Sequence, residues 1–437
     1  MILQRSFILA FTVLSTTLCA QDFSELVGKA WSTSAELRAK DFQLRQAEFA
    51  LQEAKAMYGP IVTFGTQYTL SVGGRAIAFP IGDLLNPVHN TLNSLTQSNQ
   101  FPTLENQNIQ FLPNNFYDAR VRIQQPIFYP DLAINRAVKQ ETIQLQALEI
   151  KAYKRLLSKE VMQAYFRWQG VEEALHIFDA ADSLLSEARR TTESMIRQGM
   201  ALPSSLSRLD AEKAAIQAKR AETMGMKNNA KAYLFFLCAD TSLLAGHLPT
   251  LPNVDLPAGT AREEIAQLDQ SIKLYEMGIR RENQFYKPRL GALLDVGSQD
   301  FNFGWEPYAL FGLNLELNLY DHRRHQSKID QVRANIHAQE QKKRQVSEQI
   351  ALAVQISLNN LQAGLAQTES HFTRWQVAQR LYRDVQLKYR EGTANYLELI
   401  DAQNQITTAR LEYNVSRFNV WQVWAEYYYH MAAYPIQ

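Results

Sequence analysis

Glu398 and Asp401 stand three residues apart in a stretch of helical periodicity, so both carboxylates share one helix face. Gathered around a symmetry axis, such groups form an acidic ring that attracts cations; near a helix start they also favour its dipole. Gly199 and Gly392, the latter followed by Thr393, can supply the backbone angles of tight helix-to-helix turns. Asp118, Arg120, Arg122, Asp295 and Glu316 alternate with apolar residues, which puts them on the polar face of β-strands. His322 and His325 have the i, i+3 spacing of metal sites, but they lie beside Arg323 and Arg324 with no cysteine or paired carboxylate near them, which argues against a metal. No phosphate loop, GxSxG elbow or HExxH occurs. The reading is therefore of a protein that is not an enzyme and needs no cofactor. The chemistry on offer is charge facing water.

Composition narrows the classes further. The 437 residues are 46% hydrophobic and 20% charged, an ordered chain, and 45 Lys+Arg against 44 Asp+Glu leave a net charge of +1, which gives nucleic acid nothing to bind. Arg5, the apolar run Phe7 to Leu14, and Leu18-Cys19-Ala20 follow the order of a secretory signal peptide, residues 1–20. Leu18 is a poor match to the small residue that lipidation of Cys19 requires. The mature chain then keeps one cysteine, Cys238, and can form no internal disulfide. Beyond the leader no stretch approaches the roughly 20 apolar residues of a membrane-spanning helix, so any membrane crossing must use strands.

Two stretches lack proline, from Asp131 to Gln198 and from Asp321 to Glu391, and each contains a single glycine, Gly170 or Gly364. Each predicts one unbroken helix about 100 Å long. Leu157, Val161, Ala164, Trp168, Val171, Leu175 and Phe178, and then Trp375, Ala378, Tyr382, Val385 and Tyr389, recur at alternating four and three spacing, the rhythm of coiled-coil packing. Shorter helices are expected over Ser24 to Met57, Leu202 to Leu237, Arg262 to Phe285 and Asn395 to Tyr434, laid end to end in pairs beside the long ones. Trp421, Trp424 and Tyr427 to Tyr429, and their first-half counterparts Tyr233, Phe235 and Phe236, read as core packing.

Between short and long helix the period changes to two. Val62, Phe64, Tyr68, Leu70 and Val72; Tyr117, Ala119, Val121 and Ile123; Leu290, Ala292, Leu294 and Val296; and Phe311, Leu313, Leu315, Leu317 and Leu319 each alternate with polar residues, with Leu293 and Leu310 as exceptions. These four strands have the character of transmembrane β-barrel strands. Tyr58-Gly59-Pro60 is echoed by Tyr286-Lys287-Pro288, Phe128-Tyr129-Pro130-Asp131 by Leu319-Tyr320-Asp321, and Asp210-Ala211-Glu212 by Asp401-Ala402-Gln403. The chain therefore reads as a duplication, residues 21–240 and 262–437, joined by a Pro- and Gly-rich linker, 241–261. The tract Gly73 to Asn115 departs from this symmetry and reads as an external loop. Four strands cannot close a barrel, so copies must pool them, and three copies give twelve strands around a water-filled passage.

This order of elements resembles the TolC-like outer-membrane efflux protein family over nearly the whole mature chain. Gly392-Thr393 followed by Glu398, Asp401 and Ala402 is similar to that family's periplasmic-tip turn and the acidic helix start after it; the first-half counterpart, Gly199 to Glu212, is looser. The resemblance implies a mainly α protein with a small β part. It implies a homotrimer whose twelve-stranded barrel meets outer-membrane lipid and continues as an α-helical tunnel in the periplasm. A periplasmic adaptor (membrane fusion) protein and, through it, an inner-membrane RND or ABC transporter are the implied partners. Glu398 and Asp401 become the entrance ring, Gly199, Gly392 and Thr393 the docking tips, and Asp118, Arg120, Arg122, Asp295 and Glu316 the barrel lumen. Some members carry an arginine two residues after the second tip glycine that helps latch the closed end; Ala394 stands there in this sequence. A periplasmic coiled-coil adaptor or scaffold without a channel is the competing reading, and it leaves the strands unexplained.

Overall fold

A computed structural model describes residues 25–240, 251–252 and 262–436. The leader and nearly all of the linker lie outside the described residues. The first repeat runs α1 (Ala35–Ala56), β1 (Ile61–Thr69), β2 (Ala76–Phe79), α2 (Ile81–Thr96), β3 (Gln107–Gln110), β4 (Phe116–Phe128), α3 (Pro130–Arg197) and α4 (Ser204–Cys238). The second runs α5 (Glu263–Glu282), β5 (Arg289–Phe301), β6 (Pro307–Glu316), α6 (Arg324–Arg390) and α7 (Tyr396–His430). The fold is mainly helical with a small antiparallel part, as expected. The two proline-free stretches are single helices of 68 and 67 residues. The helix expected from Ser24 is broken at Ser34, whose Oγ accepts from the Leu37 N–H and so caps α1 anew.

The chain divides into two compact units. The first, residues 1–48, 141–276 and 333–437, is helical where it is described. Its core follows the alternating spacing: Leu157, Val161, Ala164, Trp168, Leu175 and Phe178 are all buried. One cluster packs Leu26, Val27 and Ala30 and the α4 residues Leu234, Leu237 and Cys238 against Leu157, Val161 and Phe166 of α3, with Phe418, Trp421 and Ala425 of α7. The short helices of each repeat meet end to end there. Lys29 Nζ donates to Asp240 at 2.6 Å in the first repeat, and Arg262 Nη1 donates to the Tyr429 carbonyl at 2.9 Å in the second.

The expected aromatic core packing holds around Trp421 and Trp424 but not at their first-half counterparts. Trp421 stacks on Phe166 with centroids 4.9 Å apart, and Trp424 on Tyr428 at 4.7 Å. Phe235 and Phe236 correct the expectation, being 57% and 80% exposed in the single chain. The last turn of α4 already presents Leu234, Leu237 and Cys238 to the core, and residues between those positions must face away.

The second unit, residues 49–140 and 277–332, holds both sheets. The larger has strand order β1-β4-β5-β6, antiparallel throughout, and β2 pairs with β3 in a separate hairpin. The tract Gly73 to Asn115, read as a loop, is thus structured: it holds that hairpin and the 16-residue helix α2.

The most buried ionic contact joins the repeats. Arg155 of α3 grips Glu263, the first residue of α5, through two hydrogen bonds of 2.7 and 2.6 Å and donates a third to the Tyr434 carbonyl. The Arg155 side chain is only 3% exposed, so loss of one partner leaves the other charged and dry. Arg155→Met is expected to destabilise the protein by about 3–5 kcal/mol, and adding Glu263→Leu to recover most of that loss, read from denaturant unfolding of the detergent-extracted protein.

Candidate functional site

Register decides where the strand charges go. Val121 pairs with Val296 and Arg122 with Asp295 between β4 and β5; Phe64 pairs with Val121 on β1, and Leu294 with Phe311 on β6. Because side chains alternate, one face of the sheet gathers Val62, Phe64, Val121, Ile123, Leu294, Val296, Phe311, Leu313 and Leu315. It is open in the single chain, with Phe64 72% and Leu313 64% exposed. The opposite face gathers Asp118, Arg120, Arg122, Asp295 and Glu316, all five residues read from the sequence as one set. Leu293 and Leu310, the two exceptions to the alternation, stand on this polar face as well; Leu310 is paired with Asp295.

The charges on that face satisfy one another. Arg122 grips Asp295 through two hydrogen bonds of 2.8 and 2.7 Å, and the Asp295 side chain is only 5% exposed. Arg120 Nη1 donates to Asp118 at 2.8 Å, and the Tyr308 hydroxyl donates to its other oxygen at 2.9 Å. Glu316 is exposed, opposite Arg289 at the far end of the β5–β6 ladder. The face is polar without a strong net field, since Asp118 pairs with Arg120, Asp295 with Arg122, and Glu316 stands opposite Arg289.

Aromatic residues flank the strands at both ends, a feature the sequence reading did not use. Tyr68, Phe301, Phe303 and Trp305 lie exposed at the loop end, and Tyr58, Phe128, Tyr286 and Tyr320 at the other. Tyr68 stacks on Phe303 with centroids 5.2 Å apart. Rings at both rims of an outward apolar band are the interfacial girdles of transmembrane barrels. Among the described residues no helix is long and apolar enough to cross a membrane.

The histidine pair takes up other work. His325 meets Asp321 through its backbone N–H at 2.8 Å and its Nδ1 at 2.9 Å, and its ring lies flat on Phe285, 4.6 Å between centroids. Asp321 thereby ties down the first turn of α6. His322 contacts Tyr320 instead. Among the described residues no three potential metal ligands converge.

In the helical unit the two tip turns share one geometry. Gly199 and Gly392 have φ of +74° and +75°, the left-handed region that L side chains avoid. The Met200 N–H reaches back to the Met195 carbonyl at 2.8 Å, and the Thr393 N–H to the Lys388 carbonyl at 2.9 Å, the six-residue closure of a Schellman cap. Thr393 Oγ1 donates to the same Lys388 carbonyl at 3.0 Å. Asn395 then caps α7 by accepting the Glu398 N–H at 3.0 Å. Glu398 and Asp401 project exposed from the first turns of α7, while Leu399 and Ala402, each the next residue in sequence, are buried beside Met195, Leu209, Tyr382 and Tyr389. Asp401 accepts from Gln405 at 2.8 Å.

The echo between Asp210 and Asp401 stops at sequence, because Asp210 is bound by Arg189 at 3.0 Å. Two links between the helices near the turns were not legible in the sequence. The Thr192 and Tyr389 hydroxyls meet at 2.7 Å in a buried contact, and Arg390 pairs with Glu187. Ala394, in place of the latch arginine, packs against the same cluster.

Residues 260–424 match the family model of the outer membrane efflux protein. No curated protein matches the chain by sequence. Solved structures match it over nearly its full length. The outer-membrane channel OprN is 15% identical with a TM-score of 0.73, covering 94% of this chain and 90% of its own. The CmeC outer membrane channel of Campylobacter jejuni gives 12%, 0.72, 94% and 86%. The outer membrane protein VceC of Vibrio cholerae gives 15%, 0.70, 95% and 96%. At these identities the likeness is one of fold.

Proposed function

We propose that this chain, which carries the outer membrane efflux protein domain in its second repeat and the fold of the outer-membrane channels throughout, is the exit duct of a tripartite efflux pump or type I secretion system. The family is one of passive outer-membrane channels rather than enzymes, so the energy for export comes from elsewhere. The observation that carries the reading is the four-stranded sheet: one face apolar and bare, the other charged and internally paired, aromatics at both rims, both edge strands unpaired. An open edge is not tolerated in lipid. Three copies close the sheet into twelve strands, with Arg122, Asp295 and their neighbours lining a wet lumen. The long helices carry the passage into the periplasm. The experiment is fractionation and conductance: the protein is expected in outer membranes as a trimer that forms channels in planar bilayers. Recovery as a salt-extractable periplasmic protein would replace the duct with the coiled-coil scaffold.

The turns at Gly199 and Gly392 are the surfaces offered to a periplasmic adaptor, which couples the duct to an inner-membrane RND or ABC transporter. Exposed caps that only glycine closes without strain give a partner a fixed backbone shape to read. Gly392→Trp is expected to leave trimers in the membrane and abolish co-purification of the adaptor. Retained co-purification at the wild-type level would exclude Gly392 from the docking surface.

Glu398 and Asp401 form the acidic ring at the periplasmic entrance, two carboxylates from each of three chains. Close pairs repel by about 1 kcal/mol through water, and more where a narrowing excludes solvent, so the ring favours cations. The wild-type channel is expected to prefer cations and to be blocked by multivalent cations from the periplasmic side. Both properties are expected to vanish when Glu398→Gln and Asp401→Asn are combined; a double mutant with unchanged selectivity and block would return the two residues to a helix-start role.

A further inference from the structure

Helix α2 lies in the one tract that breaks the internal repeat, and its two sides are used differently. The chain returning from it, residues 98–106, is laced to its polar side by amide side chains. Asn93 donates to the Phe101 carbonyl at 2.8 Å and accepts the Phe101 N–H at 3.1 Å; Asn86 does the same with Leu104 at 2.9 and 2.8 Å. His89 Nδ1 meets the Pro102 carbonyl at 2.8 Å; the Asn106 amide donates to the Asp83 carboxylate at 3.0 Å and its oxygen accepts the Asp83 backbone N–H at 3.1 Å. Each amide imitates a strand partner, so the return segment is satisfied without a sheet.

The other side is largely open, with Leu85, Val88 and Leu95 exposed and Ile81 and Leu92 half-buried. Ile81, Leu85, Val88, Leu92 and Leu95 follow one another at spacings of four, three, four and three. Val88 is 52% and Leu95 76% exposed, and Leu84 beside the stripe is 67% exposed. That alternation is a coiled-coil seam with leucine at both a positions, Leu85 and Leu92, and β-branched Ile81 and Val88 at two of the three d positions, a choice that favours three or four strands over two. Asp83 and Asn90 fall at f, diametrically opposite the seam, and Pro87 falls at c, off the contact. A lipid surface is the poorer occupant. Helices that lie on membranes carry Lys or Arg on the polar face, whereas from Gly73 to Asn115 the only charged residues are Arg75, Asp83 and Glu105, with no cation in α2. A neutral seam matches a neutral seam.

We infer that the occupant of this face is the same helix of the other two copies, so that three α2 helices associate in parallel across the external mouth of the duct. The inference rests on the trimeric duct proposed above. The tract leaves the sheet at the end of β1, the edge strand that must meet the next copy, so it springs from the junction between copies. A twelve-stranded barrel has a radius of about 12 Å, and the arm of residues 70–80 can span up to about 35 Å. Two heptads alone are too short to hold in water, but three helices tethered to one barrel meet at millimolar effective concentration.

The test is disulfide trapping in intact outer membranes, with Leu92→Cys on the seam and Asn90→Cys opposite it. Cys238, 1% exposed, is out of reach of the oxidant. Leu92→Cys is expected to yield mostly linked dimers within minutes of mild oxidation, and Asn90→Cys at least tenfold fewer. Val88→Cys serves as a second seam position should Leu92→Cys fail to assemble. Trimer formation is followed separately by amine-reactive cross-linking. Trimers in which the seam cysteines stay unlinked, link no faster than Asn90→Cys, or are labelled by a lipid-dissolved probe would overturn the association while leaving the duct intact. Absence of trimers in the wild-type protein would overturn the duct reading first and this one with it.

Discussion

The unpaired edges of β1 and β6 govern what this chain can be. Strand order β1-β4-β5-β6 leaves a row of backbone N–H and C=O groups open on each side, while the sheet presents an exposed apolar face. In water that face is a liability, and in lipid the edges are. Closure with further copies removes both, because β6 of one copy can continue the antiparallel ladder into β1 of the next. The paired charges on the other face then make sense. In the proposed duct, a lumen lined by mutually satisfied side chains would stay polar without a fixed field to sort permeants along the whole barrel.

The helical unit meets a different requirement with the same economy of means. A helix of 68 residues needs apolar neighbours throughout its length, and the longest other helix of its own repeat has only 35 residues. The short helices meet end to end instead, and each junction is fastened by polar contacts, Lys29 to Asp240 in one repeat and Arg262 to the Tyr429 carbonyl in the other. The two repeats are nevertheless unequal. Trp421 is buried and Trp424 partly so, while Phe235 and Phe236 at the matching place are exposed.

Most of the architecture was legible in the sequence because its signals are local. Absence of proline marks the long helices, period two marks the strands, and a glycine after a charged helix end marks each tip turn. What was not legible depends on register or on side chains doing backbone work. The pairing of Arg122 with Asp295 follows only once β4 and β5 are aligned, since the two residues are 173 apart in sequence. The contact of Thr192 with Tyr389 likewise needs two helices at a fixed offset. Helix α2 was missed because Asn, Gln and Ser normally signal a loop. Here Asn86, Asn93 and Asn106 replace strand partners, and the apolar spacing from Ile81 to Leu95 was the signal that would have found it. Ser34 hid its helix break inside an otherwise continuous periodic pattern.

The ladder between β4 and β5 has a further consequence, for biogenesis. It joins a strand of the first repeat to a strand of the second, as does the grip of Arg155 on Glu263. Neither repeat can complete its sheet until the other has been synthesised and delivered, and closing so long a loop is slow. During that interval the alternating strands travel through water with their apolar residues uncovered and nothing to pair with. A chain built this way keeps its apolar strands uncovered until both halves are in hand, and the length of that wait sets its exposure to aggregation.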